Sequence, residues 1–599
     1  MTRKAIGDVR PSQVITTFGP GAIVDLQTMS VIVAGIDGWQ TGEENEIHEI
    51  RLEQTLGVER FFSAAPSEGG MFGKKGTIPS YLFPRYQVCP VCRTLSEPSE
   101  GWIEYMSKWQ ELVCKAPNCE GKGKHRATTI PAPFIIACPG GHIDDFPWRR
   151  YVHRGETSCK QRMSLYSTAK TGSVSDITIK CACGKVRSAS EAFGEKRGEA
   201  LGKCTRNRPW LGKNAHDPVA CIHSDKLRAM QRGATNAWFP VVKSALKINN
   251  AASPIGLALT QCDIKKFDRI NTLEDLQTAL GLGLLRNLER YEPVDIWNTL
   301  QKIKGEIAFE EIDLRWPEWS CFREPVSASD DNSEFYLEKG KVPAEYSFTI
   351  ADVILARRLL EVRALTGFTR IDANGAGTMD GIGADIAPIS LNAQSWLPAV
   401  EVRGEGIFIE LNEAAVASWE ALPKVQERAQ RMKEKFVQWD SERNPGRPSP
   451  FPGARYVLLH TLAHAIMRQL SLDCGYSASS VRERIYSSTA TDRKMAGILL
   501  YTASPDSEGS LGGLVDLGSA ERFPELLTSA LVAITRCSSD PLCADHQPDV
   551  HATINGAACH ACILAPETSC ESFNRFLDRS MLIPTMASAD LAFFRGNDE

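Results

Sequence analysis

Closely spaced cysteines carry the clearest chemistry in this sequence. Of its eighteen cysteines, ten fall between positions 89 and 221 and five between 537 and 570. In the second group, a CxxC pair is joined to other cysteines by short loops, and adjacent thiolates on a tight turn occupy two corners of the tetrahedron that zinc prefers. Redox chemistry and plain buried thiols are the alternatives. We predict a structural zinc ion held by Cys537, Cys543, Cys559 and Cys562, with Cys570 as a spare or substitute ligand.

Two further close pairs lie near the amino terminus. Cys89 and Cys92 are followed about twenty residues later by Cys114 and Cys119. This is the spacing of a zinc ribbon, in which two knuckles hold one ion. A unit with so little apolar area needs the metal in order to fold.

Residues 138–223 contain a denser set of cysteines and histidines, and their spacing alone does not determine which of them share a zinc ion. Asp144 and Asp145 follow His142. Their carboxylates either orient this histidine as a metal ligand or cap the start of a helix. For the histidines, a hydrogen-bonded core imidazole is the alternative. The simplest partition assigns one zinc ion to Cys181, Cys183, Cys204 and Cys221, and another to Cys138, His142, His153 and Cys159. The whole chain is thus expected to bind two to four structural Zn²⁺ ions.

The same region is locally basic. Residues 145–232 contain 18 Lys and Arg against 8 Asp and Glu, a net charge of +10 in a chain whose overall net charge is −5. Arg206, Arg208 and Trp210 combine cations with an aromatic ring, a mixture that contacts phosphates and stacks on bases. The sequence therefore suggests a DNA contact here, although a solvated face or a partner contact would give the same charge excess.

The motifs of nucleotide-driven and hydrolytic enzymes are missing. No GxxxxGK[ST] phosphate loop, HExxH or GxSxG occurs. His460 and His464 are four residues apart, as in HExxH, but Thr461 stands where the general-base glutamate would be, so packed, hydrogen-bonded histidines are favoured. The FGPGA segment at 18–22 lacks the lysine of a phosphate loop and is interpreted as a tight turn.

Length and composition indicate a multi-domain α+β protein. Its 599 residues are more than a single hydrophobic core usually organises. A composition of 43% apolar and 24% charged residues is ordinary for a globular chain. No long apolar run or apolar signal core is seen, so no membrane contact and a cytoplasmic location are expected, where cysteines stay reduced or bind metal. The expected domains are a β-rich region at 1–87, a cysteine-rich zinc-binding region at 88–235, a mixed middle domain at 236–443 and a zinc-binding domain at 454–599.

Apolar spacing predicts several long elements. Leucines at three- and four-residue steps predict core-facing helices over 273–291 and 350–368. The pattern over 415–440 predicts a charged amphipathic helix. Alternation predicts a strand over 401–413, and NPGRPSPFPG at 444–453 is the clearest linker.

Longer motifs carry a family resemblance. HTLAHAIMRQLSLDCGYSASSVRERIY (460–486), GILLYTASPDSEGSLGGLV (497–515) and NGAACHACILAPETSCESFNRFLDR (555–579) resemble the zinc-binding domain of MrfA-type DNA-repair helicases. With RPSQVITTFGPGAIVDL (10–26), RLLEVRALTGFTRI (358–371) and SWLPAVEVRGEGIFIEL (395–411), the chain resembles the DrmB family of DISARM anti-phage systems from end to end.

The resemblance implies a C-terminal MrfA-like zinc-binding domain and an accessory role. Such a subunit is expected to have no catalytic site, to form a heterodimer with a DrmA-like helicase, and to contact DNA through that complex in antiviral defence. A zinc-dependent hydrolase or nuclease acting on nucleic acid is the alternative, but a catalytic zinc needs an open coordination position and these sites look closed.

Overall fold

The structure is a computed structural model. It describes residues 9–64, 77–107, 109–117, 119, 126–167, 173–194, 200–248, 259, 267, 270–285, 288, 291–294, 296, 297, 300, 313–323, 334–372, 386–443, 448–475, 477–502, 513–548 and 553–595. The chain divides into two compact units. Unit 1 comprises Met1–Ile47, Arg60–Lys243 and Ala364–Val400, and unit 2 comprises His48–Glu59, Ser244–Arg363 and Glu401–Glu599.

The described residues form strands and helices in similar proportion, which confirms the α+β prediction. The strands are β1 Ile23–Asp25, β2 Ser30–Val33, β3 Glu46–Ile47, β4 Arg60–Phe62, β5 Ser80–Leu82, β6 Gln87–Val88, β7 Thr94–Ser96, β8 Ile103–Met106, β9 Glu111–Cys114, β10 Ile130–Pro131, β11 Phe134–Ala137, β12 Ile143–Asp145, β13 Met163–Ser167, β14 Ile177–Cys181, β15 Val186–Ser188, β16 Arg228–Gln231, β17 Phe239–Leu246, β18 Tyr336–Lys339, β19 Ile350–Thr369, β20 Trp396–Leu411, β21 Val481–Ser488 and β22 Met495–Thr502.

The α-helices are α1 Pro11–Thr16, α2 Ile50–Leu56, α3 Trp148–His153, α4 Leu273–Gly281, α5 Arg315–Arg323, α6 Glu413–Glu420, α7 Pro423–Arg443, α8 Gly453–Cys474, α9 Gly513–Leu517, α10 Phe523–Ala533 and α11 Arg579–Leu582. Short 3₁₀ turns lie at Ile36–Gly38, Glu43–Asn45, Pro98–Glu100, Val174–Asp176, Ala189–Ala192, Pro209–Leu211, Ser224–Lys226, Thr235–Ala237 and Ala344–Tyr346. Among the described helices, none combines the length and the apolar character needed to cross a lipid bilayer.

Unit 1 is built from small antiparallel sheets. One has the order β10-β6-β7-β13-β14-β15, a second has the order β12-β11-β16, a third has the order β1-β2-β5, and β8 pairs with β9. The first two of these sheets share a core that contains the contacting rings of Phe134, Phe146, Trp148 and Tyr151. Most of the cysteines of this unit lie at the ends of these short strands or in the turns between them, where backbone direction changes.

The FGPGA segment is a structural turn in unit 1. Gly21 has a φ of +82°, a conformation that side chains rarely adopt, and a Cβ there would overlap the ring of Phe368. The buried guanidinium of Arg370 donates to the carbonyl oxygen of Gly21 at 2.8 Å and to that of Gly141 at 2.9 Å. The segment thus anchors a buried arginine through its carbonyl groups, and its amide groups do not form a phosphate loop.

Unit 2 is organised around helix α8. Within this unit β21 and β22 pair antiparallel along their whole length, β22 pairs with residues 406–410 of β20, and β18 pairs with residues 354–358 of β19. Helix α8 is buried on all sides from residue 455 to residue 467, and Val457, Leu459, Leu462 and Ile466 are among its buried residues. A helix that is covered all round lies inside the core. Two histidines and a threonine on α8 therefore lie in the interior of the unit.

The predicted helix over 350–368 is wrong, because this segment is strand β19. Burial along the strand is nearly unbroken, as expected when both faces of a strand are covered. The apolar residues of this segment are interrupted by charged ones and also occur at helical spacings, so periodicity alone could not separate the two structures.

The other predicted elements are closer to the structure. The strand predicted at 401–413 lies in β20, and the charged helix at 415–440 is divided into α6 and α7 at Pro423, which begins the second helix. Helix α4 ends at Gly281, earlier than the predicted 291, and residues 286, 287, 289 and 290 lie outside the described residues. The first part of the predicted linker, 444–447, is also outside them. The two units cut across the four predicted domains, since each unit is assembled from separate stretches of chain.

Candidate metal centres

The cysteines and histidines meet in compact groups of four. Within each group, one donor atom from every residue lies within 4.8 Å of the others, in the part of the chain that the structure describes. Every cysteine in these groups is free of disulfide bonds. The groups are Cys89, Cys92, Cys114 and Cys119; Cys138, His142, Cys204 and Cys221; His153, Cys159, Cys181 and Cys183; Cys537, Cys543, Cys559 and Cys562; and His460, His464, Glu483 and Cys570.

The first group, the ribbon site, contains the four residues predicted from the sequence. Cys89 and Cys92 lie in the turn between β6 and β7, while Cys114 ends β9 and Cys119 follows it. The sulfurs of Cys89 and Cys119 are 3.6 Å apart, as are those of Cys92 and Cys114. These distances approach the edge of about 3.8 Å of a tetrahedron whose Zn–S bonds are about 2.3 Å.

Residues 138–221 divide differently from the predicted partition. Cys138 and His142 flank the turn from β11 to β12 and meet Cys204 and Cys221, which come from loops far along the chain. The sulfur of Cys138 lies 3.7 Å from that of Cys221 and 3.6 Å from that of Cys204. The predicted pairing of Cys181 and Cys183 with Cys204 and Cys221 is therefore corrected, because the antiparallel pairing of β11 with β12 and β16 brings other segments together.

A carboxylate orients the histidine of this His142 site. Nε2 of His142 lies 3.1 Å from Oδ2 of Asp217, and since a carboxylate only accepts, this nitrogen carries the proton. Nδ1 then presents its lone pair toward Cys138, whose sulfur is 3.4 Å away. Histidine ligands of metals are commonly fixed in this way. The predicted carboxylates have other partners: Asp144 accepts from Thr205 and Asp145 accepts from Arg85.

The third group, the His153 site, lies between α3 and the β14–β15 hairpin. Nδ1 of His153, the last residue of α3, donates to the carbonyl oxygen of Arg149 at 2.8 Å, which leaves Nε2 free to act as a ligand 3.3 Å from the sulfur of Cys183. Cys159 lies 3.7 Å from Cys181, sulfur to sulfur. His153 and Cys159 thus join the cysteines of the hairpin and do not join Cys138 and His142 as predicted.

The fourth group, the C-terminal four-cysteine site, contains the four ligands predicted from the sequence. The sulfurs of Cys537 and Cys559 are 3.4 Å apart, and that of Cys562 is 3.7 Å from both Cys543 and Cys559. Asp540 accepts from the backbone of Cys537 at 2.9 Å and pairs with the buried Arg579 of α11. This ion pair links the cysteine loop to the final helix of the unit.

Cys570, the predicted spare ligand, lies elsewhere. It contacts His460 and Glu483 in the fifth group, which we call the mixed site. The sequence predicts packed, hydrogen-bonded histidines at 460 and 464 and no role for Glu483. The HxxxH spacing was the available signal for this site, whereas Glu483 lies in a strand and gave none.

The four cysteine-rich sites share one electrostatic feature that suits a cation. In each, hydrogen bonds lower the pKa of one thiol, while burial or a hydrogen bond with the neighbouring cysteine raises the pKa of another. A hydrogen bond with Cys138 lowers the pKa of Cys204 to about 4, and one with Cys562 lowers that of Cys543 to about 6. The cysteines whose pKa is raised are Cys114, Cys119, Cys138, Cys181, Cys221, Cys537 and Cys562. A divalent ion removes this conflict and allows all four donors to bind as anions or neutral imidazoles, so these residues fit zinc.

The predicted DNA-contacting residues are mostly engaged within unit 1. Trp210 is fully buried, packs edge-on against Phe368 at 5.1 Å, and donates from Nε1 to the carbonyl oxygen of Pro388. A buried ring cannot stack on a base, so the prediction for Trp210 is wrong. Arg208 pairs with Asp217, and Arg206 donates weakly to the carbonyl oxygen of Pro218.

A groove of about 870 Å³ in unit 1 is lined by residues 144–150 and 201–203, among others. Its wall includes Arg85, Arg149, Arg150 and Lys203. The three arginines already form ion pairs, with Asp145, Glu100 and Glu156 respectively. The charges of these three arginines are therefore neutralised within the fold.

Comparisons with known proteins agree with the zinc chemistry. Two family models match: a domain of unknown function, DUF8724, over residues 10–239, and the MrfA Zn-binding domain over residues 462–563. The DISARM protein DrmB of Bacillus paralicheniformis (strain ATCC 9945a / NCIMB 11709 / CD-2) is 32% identical over 595 residues, which cover 95% of this chain and 99% of that protein.

A crystal structure of the DUF1998 helicase MrfA bound to DNA is 17% identical, with a TM-score of 0.19. The match covers 36% of this chain and only 23% of the helicase.

Proposed function

The chain belongs to the DrmB family of DISARM proteins, and on that premise we propose that it is a non-catalytic subunit of an anti-phage complex. In this proposal, zinc ions hold its shape, it docks on a separate DrmA-like helicase, and it helps to form the DNA-binding surface of that helicase. The observation that carries the proposal is the closed donor set of each cysteine-rich site.

Closed donor sets favour a structural role for the metal. Each of the four sites offers four protein ligands, three or four of which are thiolates. A catalytic zinc keeps a position for water or substrate, whereas sites with three or four cysteines and no open position are structural. A zinc-dependent hydrolase or nuclease would need a different ligand set, so these sites support the accessory subunit over the enzyme.

The environment of helix α8 also argues against hydrolysis. Thr461 occupies the position of the general base in HExxH, and its hydroxyl donates to the carbonyl oxygen of Val457 at 2.6 Å while accepting from the backbone of Asp578 at 3.0 Å. This side chain is a buried link between α8 and the start of α11. No proton acceptor for water stands at this position of the helix.

The C-terminal four-cysteine site stabilises the domain that carries the MrfA-type signature. Arg579 donates to the carbonyl oxygens of Ile534 and Thr535 and pairs with Asp540, while Arg428 of α7 pairs with Asp578 at 2.7 Å. These bonds connect the cysteine loop to three helices of unit 2. Loss of the ion should therefore loosen a large surface, including any part of it that a helicase partner contacts.

Direct DNA binding by the isolated chain is expected to be weak. The net charge is −5, Trp210 is buried, and the arginines of the groove are paired. Since phosphate contacts supply most non-specific affinity, we propose that DNA is bound by the complex, with this chain completing a surface that the helicase begins.

Co-expression and co-purification with a DrmA-like helicase test the proposal. The tagged chain should retain the helicase through gel filtration, and ATP hydrolysis should be found only when the helicase is present. Cys562→Ser should lower the melting temperature of the chain and weaken the complex. Cys321→Ser, a change in α5 outside all five groups, is the matched control and should do neither.

Three results would count against the accessory role. ATP hydrolysis by this chain alone would show that this chain is itself an ATP-driven motor. Metal-dependent DNA cleavage abolished by a single cysteine change would support the hydrolase. Failure of the two proteins to associate, with both folded, would remove the docking step.

A further inference from the structure

The mixed site lies at the centre of unit 2 and brings together four side chains from three parts of the chain. His460 and His464 lie on one face of α8, Glu483 lies in β21, and Cys570 lies in the loop that follows the C-terminal four-cysteine site. Nε2 of His460 is 2.9 Å from Oε1 of Glu483 and 3.1 Å from the sulfur of Cys570. The side chains of both histidines and of Glu483 are 0% exposed.

The hydrogen bonds of this group leave two facing acceptors. Nδ1 of His464 donates to the carbonyl oxygen of Ile563 at 2.9 Å, so the neutral ring has a bare lone pair on Nε2. That nitrogen lies 3.5 Å from Oε2 of Glu483, and neither atom has a hydrogen-bond partner among the described residues. Two buried acceptors that face each other repel and are costly to leave unsatisfied. A cation between them removes both penalties.

The loop at Cys570 has the shape of a metal-binding knuckle. The backbone N–H groups of Ser572 and Asn574 point at the sulfur, at 3.4 and 3.1 Å. The same bond from the residue two positions later is made to Cys114 by Ala116, to Cys204 by Arg206 and to Cys537 by Ser539. Those three cysteines belong to the cysteine-rich sites, and N–H groups that point at sulfur stabilise a thiolate. Phe573 and Asn574 both have positive φ, so the turn holds this shape against a backbone preference.

Charge balance favours a divalent ion over a proton here. Two neutral imidazoles, one carboxylate and one thiolate carry two negative charges together, which a divalent cation cancels. A neutral cluster avoids the large desolvation cost of a buried net charge. If His464 were protonated instead, it would have to donate to Glu483 over 3.5 Å, beyond the usual N–H···O distance.

We propose that His460, His464, Glu483 and Cys570 bind a fifth metal ion, and that this ion is zinc. Two nitrogen donors, one oxygen and one sulfur in a compact group suit tetrahedral Zn²⁺. With four protein ligands in a buried position, the ion is structural. Ile563, which fixes His464, directly follows Cys562, so the two C-terminal ions brace the same loop against α8 and β21.

Metal analysis of single and double variants of the full chain tests the site. His464→Gln and Cys570→Ser should each remove one zinc ion per chain, and the double variant should lose no more than one. Cys562→Ser combined with Cys570→Ser should lose two, and Cys321→Ser should lose none. Retention of all zinc by folded His464→Gln and Cys570→Ser chains would overturn the proposal.

A measurement on the unaltered protein covers the case in which a variant fails to fold. Anomalous diffraction at the zinc absorption edge should give a peak between Nε2 of His464 and the carboxylate of Glu483. Peaks at the cysteine-rich sites without one at this position would overturn the fifth site while leaving the proposed accessory function intact.

Discussion

Replacing Asp217 by asparagine should weaken zinc binding at the His142 site without removing a ligand. Oδ2 of Asp217 accepts from Nε2 of His142 at 3.1 Å, and Oδ1 accepts from the backbone of Val219 at 3.0 Å. An asparagine that keeps the bond to Val219 presents its NH₂ group to the ring, where it opposes the N–H of His142. The imidazole ring then rotates or changes tautomer, and its Nδ1 no longer presents a well-aligned lone pair to the zinc ion.

Changes of this kind typically cost about 10–100-fold in metal affinity, which corresponds to about 1.4–2.8 kcal/mol. The assay is zinc release from the full chain into buffers of defined free zinc concentration. One equivalent should leave the Asp217→Asn chain at a free zinc concentration about 10–100-fold higher than in the wild type. Asp144→Asn is the control, because Asp144 accepts from Thr205 and does not touch His142. Unchanged release from Asp217→Asn, or equal weakening by Asp144→Asn, would refute this assignment of the orienting carboxylate.

Three other changes test the interior of the two units. The fully buried Glu318 accepts two hydrogen bonds from Arg484, at 2.6 and 2.7 Å. Glu318→Gln should therefore lower the free energy of unfolding, measured by denaturant titration, by about 3–5 kcal/mol. Glu338→Gln, at the exposed ion pair with Arg357, is the control and should lower it by only about 0–1 kcal/mol. Burial raises the pKa of Glu361, but Arg363, Arg482 and Arg484 outweigh it and lower the pKa to about 2. Its stabilisation is therefore present above the unfolded pKa of about 4.3 and is lost as the pH falls toward 2. The stability advantage of wild type over Glu361→Gln should therefore shrink between about pH 5 and about pH 2; a constant difference over that range would contradict the lowered pKa. Trp210→Ala should destabilise unit 1 by about 3–5 kcal/mol, and any loss of DNA binding should follow the loss of folded protein in a melting series; a folded variant with weakened DNA binding would restore Trp210 as a contact residue.

Spacing in the sequence was sufficient for two of the metal centres. In the ribbon site and the C-terminal four-cysteine site, each half of the ligand set comes from one short segment, and the halves are 22 positions apart in the first (Cys92 to Cys114) and 16 in the second (Cys543 to Cys559). Such pairs meet whenever the local hairpins form. The chemistry of these sites is therefore readable from residue types and distances along the chain.

Spacing failed where strand pairing decides the partners. Cys138 meets Cys204 and Cys221 because β11 pairs with both β12 and β16, and this pairing of distant segments leaves no local signal. Asp217 was missed as the partner of His142 for the same reason. Glu483 was missed because one acidic residue in a strand is indistinguishable from a surface charge until its burial is known.

The helix predicted at 350–368 failed for a different physical reason. Strand β19 is covered on both faces, so its residues are buried almost without interruption and do not alternate between buried and exposed. Its apolar residues, interrupted by charged ones, also occur at helical spacings. Trp210 was misassigned because neighbouring arginines suggested an exposed aromatic ring, whereas the ring packs on Phe368.

The ratio of zinc to this chain in the complex purified with its helicase tests the account most directly. Elemental analysis of the co-eluting peak should give five zinc ions for each copy of this chain, four in the cysteine-rich sites and one in the mixed site. A folded chain that joins the helicase while holding less than one zinc ion would contradict the claim that metal maintains the shape on which the complex depends.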